Sequence, residues 1–167
     1  MRFEKVAYTA FRDDMCRNYT IRGDIIEKGY NNIVLPVRKT KYSAGYDICT
    51  PIDITIPSME RRVIPTGIKV VFNDDEMDAW HLQMYVRSSV GIKQGVVLTN
   101  GTGIIDPDYQ FSDNDGDMML ALLNTSPNTV KYKAGDRICQ AVFCLHGRTE
   151  NDIARGSRTG GIGSTGI

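Results

Sequence analysis

Five short segments each join a chemically capable side chain to glycine. They are Ala44-Gly45-Tyr46-Asp47-Ile48, Arg87-Ser88-Ser89-Val90-Gly91, Gly103-Ile104-Ile105-Asp106-Pro107-Asp108-Tyr109, Gly135-Asp136-Arg137-Ile138-Cys139-Gln140, and Arg155 through Gly166. Arginine offers a planar fork that pairs bidentately with phosphate. Glycine lets backbone N–H groups approach an anion and form a nest around it. A well-placed carboxylate can take a proton from water. Any one segment alone is weak evidence, because glycine at a strand end usually marks a turn.

Several better-known patterns fail. Gly161-Ile162-Gly163-Ser164-Thr165-Gly166 matches a dinucleotide-binding fingerprint, but only one residue follows it, so the helix that should receive the phosphate cannot form. No GxxxxGK[ST] loop occurs. His81 and His146 lack a metal-ligand constellation and are expected to be structural. Asp113-Asn114-Asp115-Gly116-Asp117 is faintly like a calcium loop. Placing Gly116 at the sixth position makes Phe111 the first ligand and Leu122 the last, so a polar turn is expected.

Taken together and in this order, the five segments closely resemble the five motifs of the trimeric dUTP diphosphatase (dUTPase) family. The resemblance covers roughly residues 33–167 and implies an all-β, jelly-roll-like distorted barrel. It also implies hydrolysis of dUTP to dUMP and pyrophosphate, with Mg2+ as cofactor. By that resemblance Arg87 and Arg155 bind phosphate, with Ser88, Ser89 and the Gly91 backbone donating to the α- and β-phosphates. Gly161, Gly163, Ser164 and Thr165 belong near the γ-phosphate. Asp47 reaches magnesium through water, so no dedicated protein cage is expected for the ion. Asp106 matches the catalytic aspartate that aims a water at the α-phosphorus, and Gln140 matches a glutamine that helps hold that water or the phosphate. The stretch from Asn100 through Gly103 and Ile104 to Ile105 is a hairpin that reads uracil with backbone groups. Tyr109 lies against the sugar and leaves no room for a 2′-hydroxyl. The family shares each site among three chains, so a homotrimer is implied. Without the resemblance, Asp47 reads as a turn residue, Tyr109 as an ordinary strand aromatic, and each arginine as a solvated charge.

These residues need strands and turns to hold them. Leu82, Met84 and Val86 alternate with polar neighbours, as do Ile68, Val70 and Phe72, which is the two-residue period of a half-buried strand. Met118 to Leu123 and Ile138 to Leu145 are nearly continuous apolar runs and predict strands buried on both faces. Turn residues punctuate the chain at Asn73-Asp74-Asp75, Asn100-Gly101, Asp115-Gly116, Ser126-Pro127-Asn128 and Ala134-Gly135-Asp136. Residues 1–32 differ. Phe11, Met15 and Tyr19 recur at helical spacing, with Thr9 available as a cap, so a helix over 9–19 is expected. Ile21, Ile25 and Ile26 before Gly29 suggest a further helical turn with a glycine stop. The organisation expected is an N-terminal helical extension (1–32), a β domain (33–154) and a glycine-rich tail (155–167) that closes a neighbouring subunit's site.

Length and charge set the outer bounds. A chain of 167 residues fits one domain with a real core. Net charge is zero, which gives no bulk attraction to nucleic acid or to an anionic membrane. No apolar run is long enough for a spanning helix, and the charged N-terminus shows no secretion signal, so a cytoplasmic protein with four reduced cysteines is expected. Of these, Cys139 and Cys144 are expected in the core.

Two features depart from the family pattern. Ile162 replaces the phenylalanine that stacks over uracil, which predicts weaker binding and a lower KM for Ile162→Phe. An insertion follows Tyr109, spanning Gln110 to Asp117 before Met118; firmicute-type members look similar here and at the N-terminus. The alternatives are a dCTP deaminase or a non-catalytic dUTP-binding regulator on the same fold. Deamination needs a glutamate soon after the third motif, and no glutamate lies between Glu76 and Glu150.

Overall fold

Alternating apolar residues become twelve short strands in the computed structural model, which describes residues 1–156, 158 and 160. In chain order these are β1 (Arg2–Lys5), β2 (Val37–Arg38), β3 (Tyr46–Cys49), β4 (Ile54–Ile56), β5 (Arg61–Pro65) and β6 (Ile68–Val71). They continue with β7 (Trp80–Val86), β8 (Val96–Leu98), β9 (Gly103–Ile105), β10 (Met119–Asn124), β11 (Val130–Tyr132) and β12 (Arg137–Leu145). The strands form four antiparallel sheets, ordered β1-β6, β5-β10-β8, β11-β4 and β2-β3-β12-β7-β9. The all-β reading therefore holds, but among the described residues no single ladder closes into a barrel.

The core runs between the sheets. Ile48, Ile64, Leu82, Leu120, Leu122 and Ile138 are fully enclosed. Each side chain of this size stabilises the fold by roughly 1.5–3 kcal/mol relative to an exposed one. β7 and β10 alternate buried and half-buried positions. The run ending in β10 is thus one-sided in this chain rather than buried on both faces, and β12 is fully enclosed only near Ile138, Cys139 and Ala141. Cys139 is wholly buried, and burial pushes its thiol up to about 12, which leaves it inert. Cys144 is only half-buried.

Residues 1–32 are more than helical. β1 pairs with β6, and Phe3 packs its ring 5.4 Å from Tyr46 and 5.6 Å from Phe143. α1 (Tyr8–Asn18) buries Phe11 and Met15 completely, as their spacing requires. Thr9 does not cap it. The helix begins one residue earlier, Ala7 occupies the cap position, and the Ala7 N–H donates to Asp115 Oδ2 at 2.7 Å. α2 (Gly23–Asn31) runs through Gly29 rather than stopping there. A Cβ at Gly29 would lie 2.8 Å from Ile52 Cγ2, so glycine serves close packing of helix against loop.

Candidate active site

Most of the residues marked by the sequence gather in two clefts, on opposite faces of β7. Tyr85 faces one cleft and Met84 the other, because successive side chains on a strand point to opposite sides.

The first cleft, about 640 Å³, is lined by Asp47, Tyr85, Arg87, Ser88, Ser89 and Gln140, with Lys39 and Ser43 at its edge. Register builds it. Asp47 of β3 stands opposite Gln140 of β12, and Gln140 stands opposite Tyr85 of β7. Three residues far apart in sequence thus form one row across three strands. Arg87 follows the end of β7 and brings its Nε 3.1 Å from Asp47 Oδ1, while Arg137 Nη1 lies 2.8 Å from Asp47 Oδ2. Gly45 makes room for Gln140: a Cβ there would sit 2.4 Å from its Oε1. A π-helical turn, Ser89–Lys93, follows the arginine. Within it the Gly91 N–H already donates to the Arg87 carbonyl at 2.9 Å, so this group is not the open phosphate donor expected. Glycine fits at 91 because a Cβ would lie 3.3 Å from Val86 Cγ2.

The second cleft, about 470 Å³, holds Asn100, Gly103, Ile104, Ile105, Asp106 and Tyr109 over a floor of Met84, Leu98, Met119 and Ala121. The segment from Asn100 to Ile105 is not a simple hairpin. β8 pairs with β10 while β9 pairs with β7, so the turn carries the chain from one sheet to another. Gly101, at φ +73°, takes the left-handed backbone that this turn requires. Gly103 admits Met84, whose Cε would meet a Cβ at 2.9 Å. Asp106 leaves β9 in extended conformation and starts a 3₁₀ turn, Pro107–Phe111, that presents Tyr109. Tyr109 is therefore a turn residue and not a strand aromatic.

Arg158, which the sequence did not single out, enters the second cleft. Its Nη2 lies 2.5 Å from Asp106 Oδ2, its Nε 2.9 Å from Asp108 Oδ1, and its guanidinium 5.8 Å from the Tyr109 ring centroid. Arg155 is exposed, lines neither cleft, and donates to the neighbouring Ala154 carbonyl at 2.7 Å. Gly161, Ile162, Gly163, Ser164 and Thr165 lie outside the described residues. Lys39 and Arg137 were also missed as site residues. Arg137 sits within the fourth motif, and Lys39 within the basic run Arg38-Lys39-Thr40-Lys41, so a signal existed for both. His81 and His146 meet edge to face with ring centroids 5.4 Å apart and line neither cleft.

The fold offers one cleft lined by an arginine, two serines and an amide, and a second, less polar pocket beside a carboxylate. The family model described as dUTPase matches residues 31–166. The chain belongs to the dUTPase family. A deoxyuridine 5′-triphosphate nucleotidohydrolase from Lactococcus lactis is 38% identical over 151 residues, covering 87% of this chain and 98% of the relative. Among solved structures, the dUTPase from Streptococcus mutans superposes with a TM-score of 0.69 at 29% identity, over 90% of this chain and all of that one. The dUTPase of Staphylococcus aureus phage phi11, described as coordinating a structural Mg(II) ion, shares the fold with a TM-score of 0.61. Its identity is 21%, and the match covers 77% of this chain and 94% of that one.

Proposed function

We infer that this dUTPase hydrolyses dUTP to dUMP and pyrophosphate by in-line attack of water at the α-phosphorus. The observation that carries the reading is the division of labour between the two faces of β7. Asp47, Arg87, Ser88, Ser89 and Gln140 face one cleft, and Asp106 and Tyr109 face the other. Arg87 is held now by a carboxylate; an incoming polyphosphate would take over that fork and leave its charge balanced. Gln140 presents an amide for the α-phosphate or the attacking water. Asp106 takes the proton as the water oxygen bonds to phosphorus and the bond to the bridging oxygen of pyrophosphate breaks. Backbone groups from Asn100 to Ile105 read uracil, and Tyr109 lies against the deoxyribose.

A strand cannot turn both faces to one substrate, so the cleft of one chain must meet the pocket of another. This supports a homotrimer with shared sites, in which the tail of a third chain, with Arg155 and the residues from Gly161 to Thr165, supplies the closing contacts. The donor set also fits magnesium. Among the described residues Asp47 is the only carboxylate lining the first cleft, and no group of three acidic, histidine or cysteine side chains could cage a metal. One carboxylate suits an ion carried in by phosphate oxygens and reached through water. Bound there, the ion would draw negative charge from those oxygens. No helix among the described residues is long and apolar enough to cross a membrane. With four free thiols and a nucleotide substrate, we place the protein in the cytoplasm.

Incubation with dUTP, dCTP, dTTP or UTP and magnesium tests the reading. Pyrophosphate from dUTP alone, lost in Asp106→Asn by at least about a hundredfold in kcat, is expected. Ammonia from dCTP, or silence on every nucleotide, would overturn it.

A further inference from the structure

Tyr109 is gripped at the end of its ring remote from the cleft. Its hydroxyl donates to the Asp117 carbonyl at 2.9 Å and receives the Asn114 amide, Nδ2, at 3.1 Å. The same Nδ2 lies 3.2 Å from Asp14 Oδ2 and 3.1 Å from the Asp117 carbonyl. Asp14 comes from α1, and Asn114 and Asp117 from the 110–117 segment. Neither segment has a task in the chemistry derived above, yet one holds this phenol and the other holds the amide bonded to it.

The arrangement is costly to build without a reason. Asp14 is 1% exposed, Asn114 7% and Asp117 0%. Enclosed polar groups of this kind destabilise a fold unless they are bonded. Here they are bonded to one another and to the tyrosine. Asp14 is tied further by Arg17 at 2.9 Å, and Ser112 Oγ stands 2.7 Å from the Asn114 amide oxygen. Burial pushes the Tyr109 phenol above its usual range, so it remains a donor at neutral pH. The torsion that sets a tyrosine ring's plane is soft. The phenol oxygen lies on the axis of that torsion, so the contacts to it on two sides fix the direction in which the ring points, and their preference for the ring plane biases the torsion. A ring that excludes a 2′-hydroxyl by contact must hold its place, since errors near 1 Å cost about a hundredfold in comparable positioning roles.

We propose that Asn114, anchored by Asp14 of the N-terminal helix, is a positioning residue for Tyr109, and that these two segments together set the enzyme's discrimination between deoxyribose and ribose. The proposal rests on the assignment of Tyr109 to the sugar. Asp14 is a partner of the amide and not of the substrate, so its effect reaches the nucleotide only through the ring.

The test compares kcat/KM for dUTP and UTP in the wild type, Asn114→Ala, Asn114→Ser and Tyr109→Phe, with Tm recorded for each. Asn114→Ser keeps a small polar side chain and guards against a folding failure of the alanine variant. The expected result is a fall in the dUTP-to-UTP ratio of roughly three- to tenfold in the Asn114 variants, the equivalent of one neutral hydrogen bond. Most of it should appear as gained UTP turnover and a raised KM for dUTP. In the Tyr109→Phe background the Asn114 substitution should add little, because its partner is gone. A lowered Tm with an unchanged ratio makes the network mere packing and overturns the proposal. A wild type that hydrolyses UTP as well as dUTP sinks the sugar reading of Tyr109 itself, and the proposal with it.

Discussion

Arg158 Nη2 lies 2.5 Å from Asp106 Oδ2, so a tail cation rests on the carboxylate expected to activate water. The same guanidinium reaches Asp108 and stands over Tyr109, the ring we assign to the nucleoside's sugar. The two carboxylates are 49% and 43% exposed, and such pairs contribute at most about 1 kcal/mol each. On that assignment, substrate displaces the arginine. Arg158→Ala should therefore lower KM for dUTP by about two- to fivefold at low salt, and the gain should shrink near ~0.5 M salt as the pair is screened. Steady-state kinetics at two salt concentrations check this. A raised KM at both would show that the arginine serves the bound nucleotide instead.

Gly45 and Gln140 make a second pair. A methyl at 45 would sit 2.4 Å from Gln140 Oε1 and 3.2 Å from its Cβ. The near atom is the end of a flexible side chain, so Gly45→Ala should shift the amide rather than unfold the sheet. We expect kcat to fall roughly tenfold or more while Tm moves by only a few degrees. Equal losses of activity and folded protein would contradict this.

Asp47 stands between Arg87 and Arg137, with a side chain only 14% exposed. Asp47→Asn keeps the shape and removes the charge. The magnesium concentration for half-maximal activity should rise about tenfold, as for other groups that hold a metal indirectly. Affinity for the nucleotide in EDTA should increase, because both arginines lose their internal counter-ion. Magnesium titration and calorimetry together decide it, and an unchanged magnesium requirement speaks against the role.

Asp117 links stability to pH. Its Oδ1 accepts the Gly67 N–H at 2.8 Å and the Thr66 N–H at 3.1 Å, while its buried Oδ2 has no partner among the described residues. Burial first, then the negative charge of Asp14, pushes its pKa from 3.8 up to about 8. Asp14 is itself raised by burial, against the opposing pull of Asn114 and Arg17. A carboxyl with a raised folded pKa binds its proton more tightly in the native state, so the unfolded chain holds fewer protons between the two values. The stabilising contribution is fully present below pH 4, falls as pH rises from there toward 8, and is gone above. Asp117→Asn removes the slope. Its Tm should lie closest to the wild type below pH 4 and exceed it increasingly as pH rises to 8. Thermal melts across that range give the answer, and a difference that does not grow with pH would refute the assignment.

The sequence by itself determined the local features. Period-two apolar alternation produced β6 and β7, helical spacing produced α1, and five glycine-bearing segments pointed to the family, because each depends on neighbours in the chain. Tertiary structure decided the rest. Asp47, Tyr85 and Gln140 share a row only because strands from distant parts of the chain pair in one register, and a slip of one residue would turn any of them to the other face. The separation of the two clefts follows from the same alternation across β7. Local signals failed where distant contacts decided the outcome: the helix begins at Tyr8 with the Ala7 N–H tied to Asp115, which places Thr9 inside the first turn, and Gly29 met Ile52 instead of ending a helix. Arg158 was invisible for a similar reason. A lone arginine acquires meaning only when folding carries it to Asp106.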